Sequence, residues 1–304
     1  MPGPSPSSEI AVRCPLCGRP AAPGDRFCEL DGTPLADDPA VEVLAIAPDL
    51  AAATHRGRAH EVDEDAHALG RRELEGRPLH VLVVCDGVSS SSHGEQAAAR
   101  AAKAAVGALL RIADASDPLD RPAALRGAIR AAHRAACEPG IDAVPGKASS
   151  GTTIVAALAH AGDLDVAWVG DSRAYLVRSA TAAELLTHDH SWLNEVVESG
   201  RLTAAEAARS PSAHALTRCL GPLENPDPDR APEPSLAAVA GVAGARLVLC
   251  SDGLWNGAPG PEAIAALVAG AAATADARAI AVHLVRRGFA SGGRDDVTAA
   301  VAFL

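Results

Sequence analysis

Thr152-Thr-Ile-Val-Ala-Ala-Leu-Ala159, Leu164-Asp-Val-Ala-Trp-Val169 and Arg173-Ala-Tyr-Leu-Val177 follow one another with almost nothing between them. Each run is apolar and short, and each reads as a strand. The links Ala161-Gly-Asp163 and Gly170-Asp-Ser172 cannot hold a crossover helix, which parallel neighbours require. The spacing therefore predicts three antiparallel neighbours.

Working outward, Leu79-His-Val-Leu-Val-Val-Cys85 is a Val-rich strand that stops at Asp86-Gly87. Arg246 to Cys250 ends at Ser251-Asp252-Gly253, and Val297 to Phe303 is preceded by Gly292-Gly-Arg-Asp-Asp296. Ala-rich segments at Gly94–Ala113, Pro122–Cys137, Pro261–Ala269 and Ala275–Arg287 carry helical patterns. The fold class expected is α+β, with antiparallel sheets and helices outside.

The chain has 304 residues and a formal net charge of −11, with 48% hydrophobic but only 2% aromatic residues. That length can bury a sizeable core, which must be built from Ala, Val, Leu and Ile. The acidic balance argues against a nucleic-acid or anionic-membrane partner, since both need a basic face. No apolar run suits a bilayer span, and the N-terminus lacks a basic-then-apolar leader pattern. Seven cysteines, unevenly placed, do not form a secreted disulfide framework. A reducing cytoplasm is the expected compartment.

Three of those cysteines crowd the N-terminus as Cys14-Pro-Leu-Cys17-Gly18 and Cys28-Glu-Leu-Asp31-Gly32. Two such knuckles are the skeleton of a zinc ribbon, with Cys14, Cys17, Cys28 and Asp31 as the candidate ligands. The expected organisation is a zinc-ribbon-like module over residues 1–36, a linker over 37–48 and one large domain over 49–304.

Asp86, Asp171, Asp252 and Asp295 each fall at the end or start of an expected strand, and Asp65 lies in a segment that could be one. Singly, Asp-Gly is an ordinary turn dipeptide. Together they could converge on one acidic pocket, repulsive unless hard cations fill it. Oxygen-only ligands favour Mg²⁺ or Mn²⁺.

The ordered set Glu64-Asp65-Ala66, Val84-Cys85-Asp86-Gly87, Ser150-Gly-Thr-Thr153, Gly170-Asp-Ser-Arg173, Leu249-Cys-Ser-Asp-Gly253 and Arg294-Asp-Asp-Val-Thr298 resembles the PPM/PP2C family of metal-dependent protein serine/threonine phosphatases. Leu186-Thr-His-Asp-His-Ser191 and Ala215-Leu-Thr-Arg-Cys-Leu-Gly221 resemble the segments flanking that family's mobile flap. The resemblance implies an α-β-β-α sandwich of two antiparallel sheets flanked by helices. It implies that Asp86 bridges two ions, that the Gly87 carbonyl ligates one, and that Asp252 and Asp295 complete the first shell. Glu64 and Asp65 would hold metal-bound waters or ligate the second ion, and Asp171 would help Asp252 hold a third. The implied reaction is hydrolysis of phosphoserine and phosphothreonine by a metal-bridging hydroxide, with Asp86, Asp252 and Asp295 as the catalytic acids. Phosphorylated proteins, substrates of bacterial Ser/Thr kinases, are the implied partners.

The chain departs from the family pattern at three places. His60 stands where an Arg usually binds the substrate phosphate, leaving His60 or nearby Arg58 as candidates for that contact. Val88-Ser-Ser-Ser-Ser92 replaces a glycine-rich loop, and Asp296 replaces an Asn. His60 and the serine loop are what support the alternative, a pseudophosphatase or phosphoprotein-binding scaffold; retention of the five Asp positions argues against it.

Overall fold

The computed structural model describes residues 19–20, 22, 40–113, 120–138, 148–271 and 275–304, apart from the side chains of 112 and 113. Cys14, Cys17, Cys28 and Asp31 lie outside the described residues.

Two antiparallel sheets form the molecule's centre. The six-stranded sheet runs in the order β1 (Val41–Ala47), β2 (Leu50–His55), β11 (Val297–Phe303), β10 (Arg246–Cys250), β7 (Arg173–Ser179) and β8 (Ala182–Leu185). The five-stranded sheet runs β3 (Asp65–Leu74), β4 (Arg77–Asp86), β5 (Ile154–His160), β6 (Asp163–Val169) and β9 (Ser235–Ala240). Helices α1 (Gly94–Ala113) and α2 (Arg121–Ala136) pack on the five-stranded sheet. The short α5 (Asp252–Trp255), with α6 (Pro261–Gly270) and α7 (Ala277–Ser291), packs on the other. Helices α3 (Trp192–Glu198) and α4 (Ala204–Ala207) lie in the long β8–β9 connection. This is the α-β-β-α sandwich expected. Among the described residues no helix is long and apolar enough to cross a membrane.

The period-two alternation of strand side chains sorts the core into three layers. Leu82 and Val84 of β4 face the other sheet, meeting Leu50, Leu176, Leu247 and Leu249. Val81, Val83 and Cys85 face the opposite way, against α1 and α2. Cys250 is buried likewise under α5–α7. Cys85 and Cys250 are therefore fully buried packing residues.

Two expectations are corrected. Residues 41–47, assigned to a linker, are strand β1, paired antiparallel with β2. Val41 and Val43 tuck half-buried against the helix-covered layer while Glu42 and Leu44 stay exposed, so the run is an amphipathic edge strand. The three strands quoted first are not all neighbours. β5 pairs with β6, but β7 pairs with β10 and β8 in the other sheet. The cause is Gly170, at φ +106°, where an added Cβ would come within 2.7 Å of Thr153. Its left-handed backbone turns the chain out of one sheet and into the other, a conformation that L side chains resist.

Leu82 is completely buried between the sheets. Leu82→Ala should lower the unfolding free energy by about 2–5 kcal/mol in urea melts. Leu44→Ala, at a position 38% exposed, should change it by no more than about 0.5 kcal/mol.

Candidate active site

The expected acids collect at one end of the sandwich. Asp86 ends β4, Asp171 occupies the crossing from β6 to β7, Asp252 opens α5 directly after β10, and Asp295 precedes β11. A cleft of 590 Å³ is lined by Asp86, Gly87, Asp171, Asp252 and Asp295, with Arg218 on its wall. Five of the seven expected metal ligands thus face one space.

The backbone around Asp86 is pinned on both sides. Its N–H donates to Thr153 Oγ1 (3.0 Å), and its carbonyl accepts from Thr152 Oγ1 (3.0 Å) and the Thr153 N–H (2.8 Å). The Ser-Gly-Thr-Thr motif is therefore a clamp on the central acid. Gly87 donates its N–H to the Glu64 carbonyl at 3.0 Å. A Cβ at Gly87 would meet that carbonyl and Gly94 at 2.6 Å, so only glycine fits the approach.

Glu64 and Asp65 are not among the residues lining this cleft. Glu64 Oε2 is buried without a hydrogen-bond partner, 4.0 Å from His60 Nδ1. Asp65 sits opposite Asp86 in the β3–β4 ladder, and its side chain lines a neighbouring cavity of 630 Å³ beside Asp63 and His67. The Ser251 hydroxyl donates to Asp65 Oδ2 at 2.6 Å and itself accepts from the Thr298 N–H at 3.0 Å. Thr298 then donates to Thr54 (2.7 Å), and Thr54 to Asp63 Oδ2 (2.7 Å).

Asp171 is fixed from below. Trp255 Nε1 donates to its carbonyl at 3.0 Å, and the Arg173 guanidinium lies 3.7 Å from the Trp255 ring centroid. Arg173 also forks onto Asp189, Nε to Oδ1 at 2.9 Å and Nη2 to Oδ2 at 2.7 Å. Such a bidentate pair holds orientation as well as charge.

Crowding of carboxylates sets the electrostatics. Burial first, then Asp252 and Asp189, push Asp171 up to about 8. Burial and Asp295 push Asp252 up to about 6. Asp86 is raised well above the usual carboxylate range by burial and by Asp65, Asp252, Asp171 and Asp295. Groups that repel one another this way in a low-dielectric cleft call for cations. The donors are all oxygen, including the unpartnered Glu64 Oε2, which suits a hard divalent ion. The residues present fit that group.

The candidate phosphate contacts separate. The Arg58 guanidinium lies 4.3 Å from the Phe289 ring centroid and is not part of the cleft lining. His60 stands at the rim, with Nε2 3.4 Å from Ser89 Oγ and 3.8 Å from Asp295 Oδ1. Burial would lower its pKa, but the hydrogen bond to Asp296 and the charges of Asp296, Glu64 and Asp295 outweigh burial and raise it. The cation on the cleft wall is Arg218, from the flap-flanking Ala215–Gly221 segment, which sequence reading quoted without assigning a role. Nothing in its spacing marked it, because its proximity depends on the β8–β9 connection folding back over the cleft.

A family model described as protein phosphatase 2C matches residues 53–297. Serine/threonine protein phosphatase PstP of Mycobacterium tuberculosis is 31% identical over 252 residues, covering 83% of this chain and 44% of PstP. The chain thus spans less than half the length of that curated relative. The crystal structure of M. tuberculosis PstP/Ppp superposes with a TM-score of 0.65 at 27% identity, covering 87% of this chain and 98% of that one. The catalytic domain of PstP in complex with two manganese ions superposes at 0.62 and 26% identity, covering 86% and 97%. The match takes in Asp86, Asp171, Asp252 and Asp295, and the chain belongs to the protein phosphatase 2C family.

Proposed function

We propose that the chain is a metal-dependent serine/threonine protein phosphatase that hydrolyses phosphoserine and phosphothreonine in proteins. The observation that carries this reading is the shared cleft of Asp86, Gly87, Asp171, Asp252 and Asp295. Asp86, Asp171, Asp252, Asp295 and the Gly87 carbonyl would hold two or three Mn²⁺ or Mg²⁺ ions, with Glu64 and Asp65 beside them. Those ions supply Lewis acidity, lowering the pKa of bound water and neutralising phosphoryl charge. Thr152 and Thr153 keep Asp86 from moving, so its carboxylate need not reorganise during the reaction. Arg218 would bind phosphoryl oxygens from the wall, and His60 from the rim. Arg58, occupied by Phe289, is the weaker candidate.

The cleft is open enough for a phosphorylated side chain carried on a protein surface. Proteins phosphorylated by bacterial Ser/Thr kinases, in the cytoplasm, are the proposed substrates. A scaffold that binds phosphoproteins without turnover is supported only by His60 in place of an Arg and by the serine loop Val88–Ser92. The N-terminal segment is proposed to hold one zinc ion through Cys14, Cys17, Cys28 and Asp31, as a docking module apart from catalysis.

The purified 304-residue chain should hydrolyse p-nitrophenyl phosphate and a phosphothreonine peptide with Mn²⁺ and not with EDTA. Asp252→Ala should lose roughly a hundredfold or more in kcat. Arg218→Ala should instead raise KM roughly tenfold, the scale of one charge-assisted hydrogen bond. Wild-type turnover no greater than that of Asp252→Ala would remove the enzyme reading.

The raised carboxylates also set a pH dependence. The folded state of the metal-free protein binds more protons than the unfolded chain wherever pH lies between 3.8 and about 8 for Asp171. Stability from this group is complete below 3.8 and is lost as pH rises through about 8. In EDTA the melting temperature should fall across that window, and added Mn²⁺ should raise it most at the alkaline end. Elemental analysis should find about one zinc per chain, lost in a Cys14→Ser/Cys17→Ser variant.

A further inference from the structure

The loop from β2 to β3 meets the approach to β11 as a short backbone ladder. The Arg58 N–H donates to the Gly293 carbonyl at 2.8 Å, and the Ala59 N–H to the Arg294 carbonyl at 2.9 Å. Arg58 and Arg294 thus share one edge, and that edge adjoins the cleft. Arg294 precedes Asp295, which lines the cleft, and His60 Nε2 lies 3.8 Å from Asp295 Oδ1. Arg56 Nη1 donates to the His60 carbonyl and ties the loop back onto itself.

Arg58 is exposed, yet its side chain is held in place. Its guanidinium lies 4.3 Å from the Phe289 ring centroid, and that ring stacks on His55 with centroids 3.8 Å apart. Gly293 makes the room: at φ +60°, an added Cβ would come within 2.7 Å of Arg58 Nη1. Stacking uses the face of a guanidinium and leaves the N–H fork in its plane free to donate. Among the described residues, no side chain or carbonyl accepts from the Arg58 or Arg294 guanidinium, and Arg294 is exposed as well. The charge here runs against the composition. The chain has 38 acids to 27 bases, but Arg56–Glu61 holds two arginines to one acid and Arg294 adds a third. Asp296 does not cancel them, being 2% exposed and accepting from the Gly57 N–H at 2.6 Å.

We propose that Arg58 and Arg294 form a docking rim for acidic side chains flanking the phosphorylated residue of a protein substrate. The inference rests on the phosphatase reading for its substrate and on the rim's own geometry for the preferred charge. Arg58 stands outside the cleft lining, which suits a contact one or more residues away from the phosphoryl group. A carboxylate matches the planar fork of a guanidinium. Every phosphothreonine brings the same phosphoryl group, so selection among phosphoproteins must come from neighbouring side chains. Arginine keeps its charge at any working pH, so the preference holds across pH and weakens as salt screens it.

The test gives the 304-residue chain, with Mn²⁺, two phosphothreonine peptides that differ only beside the phosphothreonine. One carries glutamates on both sides and the other alanines. The glutamate peptide should have the higher kcat/KM by roughly tenfold, the scale of two exposed ion pairs. Arg294→Ala should cut that ratio by roughly threefold. In Arg58→Glu/Arg294→Glu the ratio should fall below one, and a lysine-flanked peptide should become the best substrate. Each variant is read as a ratio, so a loss of activity common to all peptides cancels. The wild-type ratio should also shrink toward one as salt rises from about 0.05 M to about 0.5 M. Equal kcat/KM for the two peptides, or an unchanged ratio in the doubly reversed variant, overturns the rim. Absence of turnover with every peptide removes the phosphatase reading instead. Fluorescence anisotropy of the labelled peptides then decides the rim alone: tighter binding of the glutamate peptide, lost in the doubly reversed variant, upholds it, and equal affinities overturn it.

Discussion

Asp171 is buried, Asp86 and Asp252 are half-buried, and all three crowd one cleft, so the rest of the architecture must hold an unfavourable arrangement together. Three carboxyl groups with their pKa values pushed upward are what a fold would shed unless the surrounding structure forced them into place. The forcing groups are visible. Thr152 and Thr153 grip the backbone of Asp86, Trp255 grips the carbonyl of Asp171, and the start of α5 aims Asp252. None of these groups relieves the repulsion itself. They hold the acids together in spite of it.

Strand ends were the legible part. Gly94–Ala113, Arg246–Cys250 and Val297–Phe303 appear with the bounds their patterns suggested. Asp86, Asp171, Asp252 and Asp295 could be gathered because each marks a place where an apolar run stops or starts. Strand β2, Leu50-Ala-Ala-Ala-Thr-His55, was invisible for a physical reason. It lies inside its sheet, between β1 and β11, and is buried on both faces, so it carries no alternation. The links from Ser251 to Asp65 and from Asp296 to His60 span 186 and 236 residues and have no local signature. Position along the chain could identify the acids; only the folded chain shows which hydroxyls and rings attend them.

The composition has its own structural expression. With so few aromatics, the sheets face each other through Ala52, Ala157, Ala174, Ala300 and Ala302 interleaved with leucines and valines. Small side chains allow close approach and leave little slack for rotamer change. The one tyrosine, Tyr175, is completely buried, and its hydroxyl accepts from Arg173 at 3.3 Å. Even the largest fully buried side chain is thus tied to the Arg173–Asp189–Trp255 group that supports Asp171.

The crossing at Gly170–Ser172 belongs to a wider arrangement. The chain passes between the sheets after β2, after β6, after β8 and after β9. The first three passages lie at the cleft end, and only the last, at Gly241–Ala245, lies at the far end. Neither sheet is made from one continuous stretch, so β1 and β2 must wait for β11. Such non-local pairing folds slowly, because loop closure precedes any contact that rewards it. The cleft therefore assembles late, when the sheets dock. Until that step the acids remain apart, and a nascent chain has no cleft to offer.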